Sequence, residues 1–434
     1  MEFKKIAILL LIMMLFSTNS FAEDATNETN LEQNSINVST SEDNSSVSLN
    51  INSEAVILIE NTTGKTLYEK NSEQKMYPAS TTKILTAIIA IENSNLDDIA
   101  TVSKTAISNI PSGYSSAYLV EGEQISIDNL LKELLIHSAN DAANVIAEHV
   151  SGSIDTFVDL MNEKVQELGC ANTHFVTTNG IHDENHYTTA RDLSVIARYC
   201  MQNPTFRKYV SIQKCTIPAT NKSKERTYKN TNDLINTSST YYYPGCIGIK
   251  TGYTSEAKNC LISACNKNGL QLIAVVLGSG TVNGKSARYI DSKTLYDYGY
   301  ANFSMKTIAQ KSSVLKTITI PHATKETKNL DLLLEDNIVI LSKNDSSTNI
   351  SPEIFISDNL SAPISTNSVI GTATYTVDGT TYTSNIIASH DVIKNDNLYI
   401  ILIISLIGFL LILIIIFIIL KIHKKKKMKN IIIY

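Results

Sequence analysis

The chain has 434 residues, 37 Lys and Arg against 42 Asp and Glu, and a formal net charge of −5. That length holds two domains plus targeting segments, and so small a charge excess excludes a protein that binds nucleic acid by bulk positive charge. The hydrophobic share of 43 % is that of an ordinary globular fold.

Lys4 and Lys5 precede an apolar run from Ile6 to Phe16, and Ser20 and Ala22 follow as small residues. This is the order of a secretory signal peptide over residues 1–22. An uncleaved anchor is the alternative, but the run is short for a spanning helix. Residues 23–50, rich in Asn, Ser, Thr and Glu, read as a disordered linker. Strands are predicted over 55–60 and 66–70 around the hairpin signal Asn61-Thr62-Thr63-Gly64. A buried helix is predicted from Pro78 through Ile84, Leu85, Ile88, Ile89 and Ile91, which leave it apolar on most faces. Ser126 caps another, with Ile127, Leu130, Leu131, Leu134 and Leu135 facing the core. Further helices are predicted over 141–150, 155–168 and 190–202.

After Tyr243 the pattern changes to strands at 247–251, 259–264 and 270–278, closed by a helix at 286–298. Residues 51–302 therefore read as an α+β domain, an antiparallel sheet against a helical cluster. From 303 to 391 only strand signals occur, at 314–320, 330–333, 337–341, 369–377 and 380–387, with a hairpin turn at Val377-Asp378-Gly379-Thr380. A small all-β domain is expected there. Residues 398–420 carry no charge and would form a helix about 34 Å long, against a hydrocarbon core of about 30 Å. A soluble core helix rarely needs such a run, so a transmembrane helix is expected. Lys421, Lys424, Lys425, Lys426, Lys427 and Lys429 follow, so the positive-inside rule makes 421–434 a cytoplasmic tail and puts the middle of the chain outside the cell membrane.

Cys170, Cys200, Cys215, Cys246, Cys260 and Cys265 fit no zinc spacing, and most are expected to be buried thiols. His182 and His186 have the spacing of two metal ligands on a helix, but Gly180 and Asn185 point to a loop. No metal and no cofactor is predicted.

Three short motifs carry chemistry: Ser80-Thr81-Thr82-Lys83, Ser138-Ala139-Asn140 and Lys250-Thr251-Gly252. Each alone is weak. Their order, and their contexts of helix start, interhelix loop and strand, make them strong together. A spacing of three puts Ser80 and Lys83 on one helix face. A helix N-terminus favours negative charge on a serine alkoxide or a tetrahedral oxyanion. Lys83 can take the serine proton only when neutral, which near pH 7 needs a fall of about three pKa units, or roughly 4 kcal/mol. Burial and a second cation, Lys250, both push that way. Ser138 can relay a proton, and Asn140 can hold a substrate amide together with Lys83. Lys250 and Thr251 can bind a carboxylate, and Gly252 lets backbone approach closely.

The segments 77–83, 138–143 and 248–254 resemble the D-alanyl-D-alanine carboxypeptidase family of low-molecular-mass penicillin-binding proteins. So do Asn172-Thr173-His174-Phe175, Asn179-Gly180-Ile181-His182 and 189–193. The resemblance implies the penicillin-binding protein/β-lactamase-like transpeptidase fold over about 51–300, and a membrane-proximal β domain after it. It implies that Ser80 is the nucleophile and Lys83 the general base on a D-Ala-D-Ala stem peptide. The N–H groups of Ser80 and Tyr253 would form the oxyanion hole, Arg288 would help bind the terminal carboxylate, and β-lactams would acylate Ser80. Relatives read S-E-A-G where this chain has Ser255-Glu256-Ala257-Lys258, which questions the local turn. Many relatives also end in an amphipathic surface helix rather than a spanning one. A class A-like β-lactamase would need an E-x-x-x-N type motif between Asn140 and Lys250, and none is found. A β-lactam sensor would need an output domain beyond the span. Endopeptidase cleavage of cross-links keeps the fold and changes only the bond.

Overall fold

The computed structural model describes residues 48–108, 110–344 and 350–429. The expected signal peptide, the linker as far as residue 47 and the last five residues of the basic tail lie outside the described residues.

The first body is organised by one antiparallel sheet. Strands β1 (Ala55–Glu60) and β2 (Thr66–Lys70) form the predicted hairpin. Two short antiparallel pairs intervene in the chain, β3 (Ile99–Thr101) with β4 (Gln124–Ser126) and β5 (Lys214–Ile217) with β6 (Arg226–Lys229). Strands β7 (Cys246–Thr254), β8 (Lys258–Lys267) and β9 (Leu270–Ser279) complete the sheet in the order β2-β1-β9-β8-β7. Strand β7 is thus an edge.

β1 and β9 are apolar runs because both of their faces are covered. Alternation sends Ala55, Ile57, Ile59, Ile273, Val275 and Leu277 to one core and Val56, Leu58, Leu272, Ala274 and Val276 to the other. Each Val, Leu or Ile among them contributes about 1.5–3 kcal/mol by leaving water. The first core is closed by helices α1 (Lys83–Asn93), α2 (Lys104–Ser108), α3 (Ile127–Lys132), α4 (Asn140–Ser151), α5 (Ile154–Glu167), α6 (Ala190–Gln202) and α7 (Pro204–Val210). The second is closed by α8 (Ala287–Asn302), through Tyr289, Leu295 and Tyr296. The caps are local chemistry: Ser126 Oγ accepts from Asn129 N–H at 3.3 Å and Thr189 Oγ1 from Asp192 N–H at 3.0 Å.

Two-residue strands β10 (Thr281–Val282) and β11 (Lys285–Ser286) lead into α8. Beyond it, β12 (Phe303–Ala309) pairs with β15 (Ile338–Lys343). A second antiparallel sheet has the order β13-β14-β18-β17-β16, from β13 (Val314–Thr319), β14 (Asn329–Leu334), β16 (Glu353–Ile356), β17 (Val369–Val377) and β18 (Thr380–Ala388). Leu330, Leu332, Leu334, Ile340, Tyr375 and Ile386 form its core. Asp378 and Gly379 have φ of 47° and 72°, the pair of left-handed residues that a tight two-residue hairpin requires. Helix α9 (Asn397–Lys429) is long and apolar enough to cross a membrane over Tyr399–Lys426, and none of that stretch is buried. It runs through the lysines expected to form the tail.

Candidate active site

Ser80 lies in a 3-10 turn, Ala79–Thr82, that opens into α1. Ala79 has φ of +48°, a left-handed conformation that costs a residue with a Cβ about 1–2 kcal/mol. Its neighbours hold it there. Thr81 Oγ1 donates to Pro78 O at 2.7 Å and Thr82 Oγ1 to Ala79 O at 2.9 Å. From one side Gly252 on β7 presses close, since a Cβ there would lie 3.0 Å from both Pro78 O and Ser80 N. From the other side Gly180 does the same, and a Cβ on it would collide with the Ala79 carbonyl.

Lys83 is fully buried, one turn after Ser80. Its Nζ lies 2.8 Å from Ser80 Oγ, 2.7 Å from Asn140 Oδ1 and 2.5 Å from the Asn179 carbonyl oxygen. Burial holds the ammonium well below its usual range; the charge of Lys250 pushes the same way and Asp141 opposes. Lys250 is also buried, with Nζ 2.8 Å from both Ser138 Oγ and Thr251 O. Burial, with Arg288 adding to it, brings this lysine down to about 7. Two buried lysines thus serve one site, and the charge of Lys250 makes Lys83 easier to discharge.

Ser138 reaches this compartment because a π-helical turn, Glu133–His137, ends on it with φ of +68°. The Glu133 carbonyl accepts from Ala139 N–H at 3.0 Å and steadies the bend. Asn140 is fixed at both ends of its amide: Oδ1 takes Lys83, and Nδ2 donates to Ser115 O at 2.9 Å. Asp141, buried beside it, accepts from Ser116 Oγ at 2.6 Å and from the N–H groups of Ala117 at 2.9 Å and Leu119 at 3.0 Å. These bonds clamp the segment 115–119 onto α4.

The Glu133 side chain lies buried behind the turn. Arg226 on β6 holds Glu123 at 2.9 Å and Glu133 at 3.1 Å, so two carboxylates share one guanidinium. Burial pushes Glu133 up to about 8 against the pull of Arg226, with Asp141 and Glu123 adding to the rise.

A cleft of about 430 Å³ opens over these groups, lined by Ser80, Ser138, Asn140, Thr251, Tyr253 and Arg288 among others. Lys83 and Lys250 reach it through Ser80 and Ser138. Tyr253 is 63 % exposed at its mouth. Arg288 on α8 donates to the Gly252 carbonyl at 3.3 Å, and Thr251 Oγ1 lies 2.6 Å from Thr231 Oγ1. All the residues singled out by the three motifs, with Tyr253 and Arg288, therefore converge. Sequence reasoning missed the Asn179 carbonyl, Thr231, Asp141 and the loop 112–115. A backbone carbonyl carries no side-chain signature, although the Asn179-Gly180 dipeptide marks the turn that presents it.

Lys258 has φ of +56°, so the turn is kept with a strained lysine where relatives were expected to carry glycine. His182 and His186 do not face one another as ligands. His186 Nε2 lies 2.8 Å from Thr82 Oγ1, its Nδ1 accepts from Val176 N–H at 3.0 Å, and burial pushes the imidazole down to about 3. His182 packs edge-on against Tyr77.

The D-alanyl-D-alanine carboxypeptidase family profile matches residues 38–281, more than half of the chain, and that of the penicillin-binding protein 5 C-terminal domain matches 303–394. The chain belongs to the D-alanyl-D-alanine carboxypeptidase family. It is a serine-type hydrolase of that class. The D-alanyl-D-alanine carboxypeptidase DacF of Bacillus subtilis is 33 % identical over 348 residues, 78 % of this chain and 85 % of that one. Penicillin binding protein 5 of Haemophilus influenzae superposes with a TM-score of 0.61 at 27 % identity, over 80 % of this chain and 99 % of that one. The Streptomyces K15 DD-transpeptidase gives 0.54 at 33 % identity, over 59 % of this chain and 99 % of that one. Within this carboxypeptidase fold the cleft lies where the edge strand β7, the start of α1 and the turn before α4 meet.

Proposed function

We propose that this chain removes the terminal D-alanine from peptidoglycan stem pentapeptides through an acyl-enzyme on Ser80. The observation that carries this reading is the 2.8 Å contact between Ser80 Oγ and a buried lysine held well below its usual range. Neutral Lys83 takes the Ser80 proton, and Oγ attacks the carbonyl carbon of the penultimate D-alanine. The N–H groups of Ser80 and Tyr253 receive the oxyanion. As the C–N bond breaks, a proton passes from Lys83 or Lys250 through Ser138 to the leaving amine. Water then attacks the ester, returns the proton to Ser80 and frees the shortened peptide. Asn140 positions the scissile amide, and Lys250, Thr251 and Arg288 bind the terminal carboxylate while Gly252 lets the strand close in. β-Lactams acylate the same Ser80 as mimics of the dipeptide.

The proposed organisation is a signal peptide at 1–22, a linker at 23–50, the catalytic domain at 51–302, a membrane-proximal β domain at 303–391, a span at 398–420 and a basic cytoplasmic tail at 421–434. The chain is exported, and the β domain holds the catalytic domain off the membrane, facing the wall. Support comes from the uncharged run followed by lysines.

The test is release of free D-alanine from a pentapeptide by the full chain in detergent, with Ser80→Ala beside it. Release by the wild type and none by the variant is expected. Penicillin labelling of Ser80 without release of D-alanine would move the reading to a sensor or to another bond. Rapid turnover of nitrocefin would move it to a β-lactamase.

A further inference from the structure

Cys246 and Cys265 face each other across β7 and β8, and the ladder shows in which way. The two are register partners at the end of the ladder, and a bulge separates them from the next pair, Gly248 with Ala264. The bond next to them runs from Asn266 N–H to Gly245 O at 2.9 Å, while the Cys246 N–H turns back to Tyr243 O at 3.1 Å instead of crossing to Cys265. The cysteines therefore occupy a non-hydrogen-bonded pair, the position where antiparallel strands bring Cα atoms to about 4.5 Å and side chains closest together. That lies inside the range of about 4.4–6.8 Å that a disulfide spans. Partners in such a pair project to the same sheet face, and both cysteines pack in the core that holds Tyr243 and Tyr296. The other cysteines lack this arrangement. Cys215 is paired with Tyr228 and Cys260 with Gly252, and Cys200 and Cys170 belong to a helix and a loop on the other face of the sheet.

We infer that Cys246 and Cys265 are a redox pair that closes into a disulfide and fastens the edge strand carrying Lys250-Thr251-Gly252 to its neighbour β8. Cys246 is the partly exposed member and Cys265 the buried one. The oxidant is a disulfide, either a small one such as oxidised glutathione or that of a thiol–disulfide oxidoreductase. Cys246 as thiolate attacks a sulfur of that disulfide, forming a mixed disulfide and releasing one thiol. Cys265, deprotonated, then attacks Cys246 Sγ and displaces the second thiol. The chain loses two protons and two electrons, and the oxidant gains them as its disulfide is reduced to two thiols. Burial pushes the Cys246 thiol up to about 12 and raises Cys265 as well, so exchange is slow in the folded protein and fastest while the strands are still assembling. The bond closes a short loop around the β7–β8 turn, and such a loop restricts the unfolded chain. It holds the strand at its start and leaves the lysine end free to meet a ligand.

The experiment takes the full chain in detergent and unfolds and refolds it through urea in a buffer of oxidised and reduced glutathione. A second sample stays folded in the same buffer. Remaining thiols are alkylated under denaturing conditions, and the peptides are mapped by mass. The expected result is a peptide pair joined through Cys246 and Cys265, lighter by two hydrogens than its reduced form, with the other four cysteines alkylated. Tyrosine fluorescence should show the oxidised protein melting about 5–10 °C higher than the reduced one. Cys246→Ser and Cys265→Ser should each abolish that difference. Six alkylated cysteines in both samples, or a crosslink that involves another cysteine, overturns the inference. So does a crosslinked protein that melts no higher than the reduced one.

Discussion

The two five-stranded sheets of this molecule bury different things. Around the first, Lys83, Lys250, Glu123, Glu133 and Asp141 are taken out of water together with dozens of apolar side chains. Around the second, the described buried residues are apolar apart from Ser342 and Ser384. A fold that needed only stability would resemble the second, since each buried charge costs several kcal/mol before its partners offset it. The difference marks where the chain keeps its chemistry. In the first body the cost of desolvation is what depresses two lysines; in the β domain packing has no such second use.

The comparison breaks first at Lys83. Lys83→Met keeps the bulk and removes the base, and is expected to lower kcat/KM for D-alanine release about a thousandfold or more while leaving the circular dichroism unchanged. Lys250→Met sharpens the same point. Without the second cation one force that depresses Lys83 is gone, so its pKa rises and the acid limb of the residual penicillin-acylation profile moves to higher pH. A profile that stays in place would show the two lysines to be independent.

In the β domain Leu332→Ala should cost about 2–5 kcal/mol of that domain's unfolding free energy in urea. The rate of D-alanine release under native conditions should not change. Glu133 tests the cost of burying a carboxyl. Its carboxyl titrates near 4.5 when unfolded and near 8 when folded. Below pH 4.5 both states hold the proton; from there to about pH 8 only the folded one does, so folded stability falls as pH rises and then levels off. Glu133→Gln should flatten that fall, by about 2–4 kcal/mol between pH 5 and pH 9 in urea titrations. Smallest is Lys65→Ala, which removes an exposed ion pair with Asp378 at 3.0 Å and should change stability by less than about 0.5 kcal/mol.

Much of this was legible beforehand where a pattern was long. The ten-residue strands β8 and β9, the helices α4 to α6 and the Asp378-Gly379 turn follow the reading closely. Strands of four residues did not show. β5 and β6 alternate over too few positions, and Lys214, Arg226 and Lys229 mask the period. β12 and β16 escaped for similar reasons, being half-exposed and placed at the ends of their sheets. In the site, side chains in motifs could be found and groups supplied by topology could not. Asn179 offers its carbonyl, Gly180 offers the lack of a Cβ, and Glu133 reads as one more helix-surface acid until β6 brings Arg226 to it.

The surroundings of Lys83 Nζ have one more consequence, in the count of protons and lone pairs. As an ammonium it has three hydrogens for three oxygens. A neutral amine has two hydrogens and a lone pair, so one of the three neighbours must turn round and donate. The Asn179 carbonyl has nothing to give. Asn140 could donate only by flipping its amide, which would set its oxygen against the Ser115 carbonyl that Nδ2 now holds. Only the Ser80 hydroxyl can reverse. Discharging the lysine therefore points the Ser80 hydrogen at nitrogen before any substrate arrives, and the neighbours' inability to donate selects the group proposed to give up its proton.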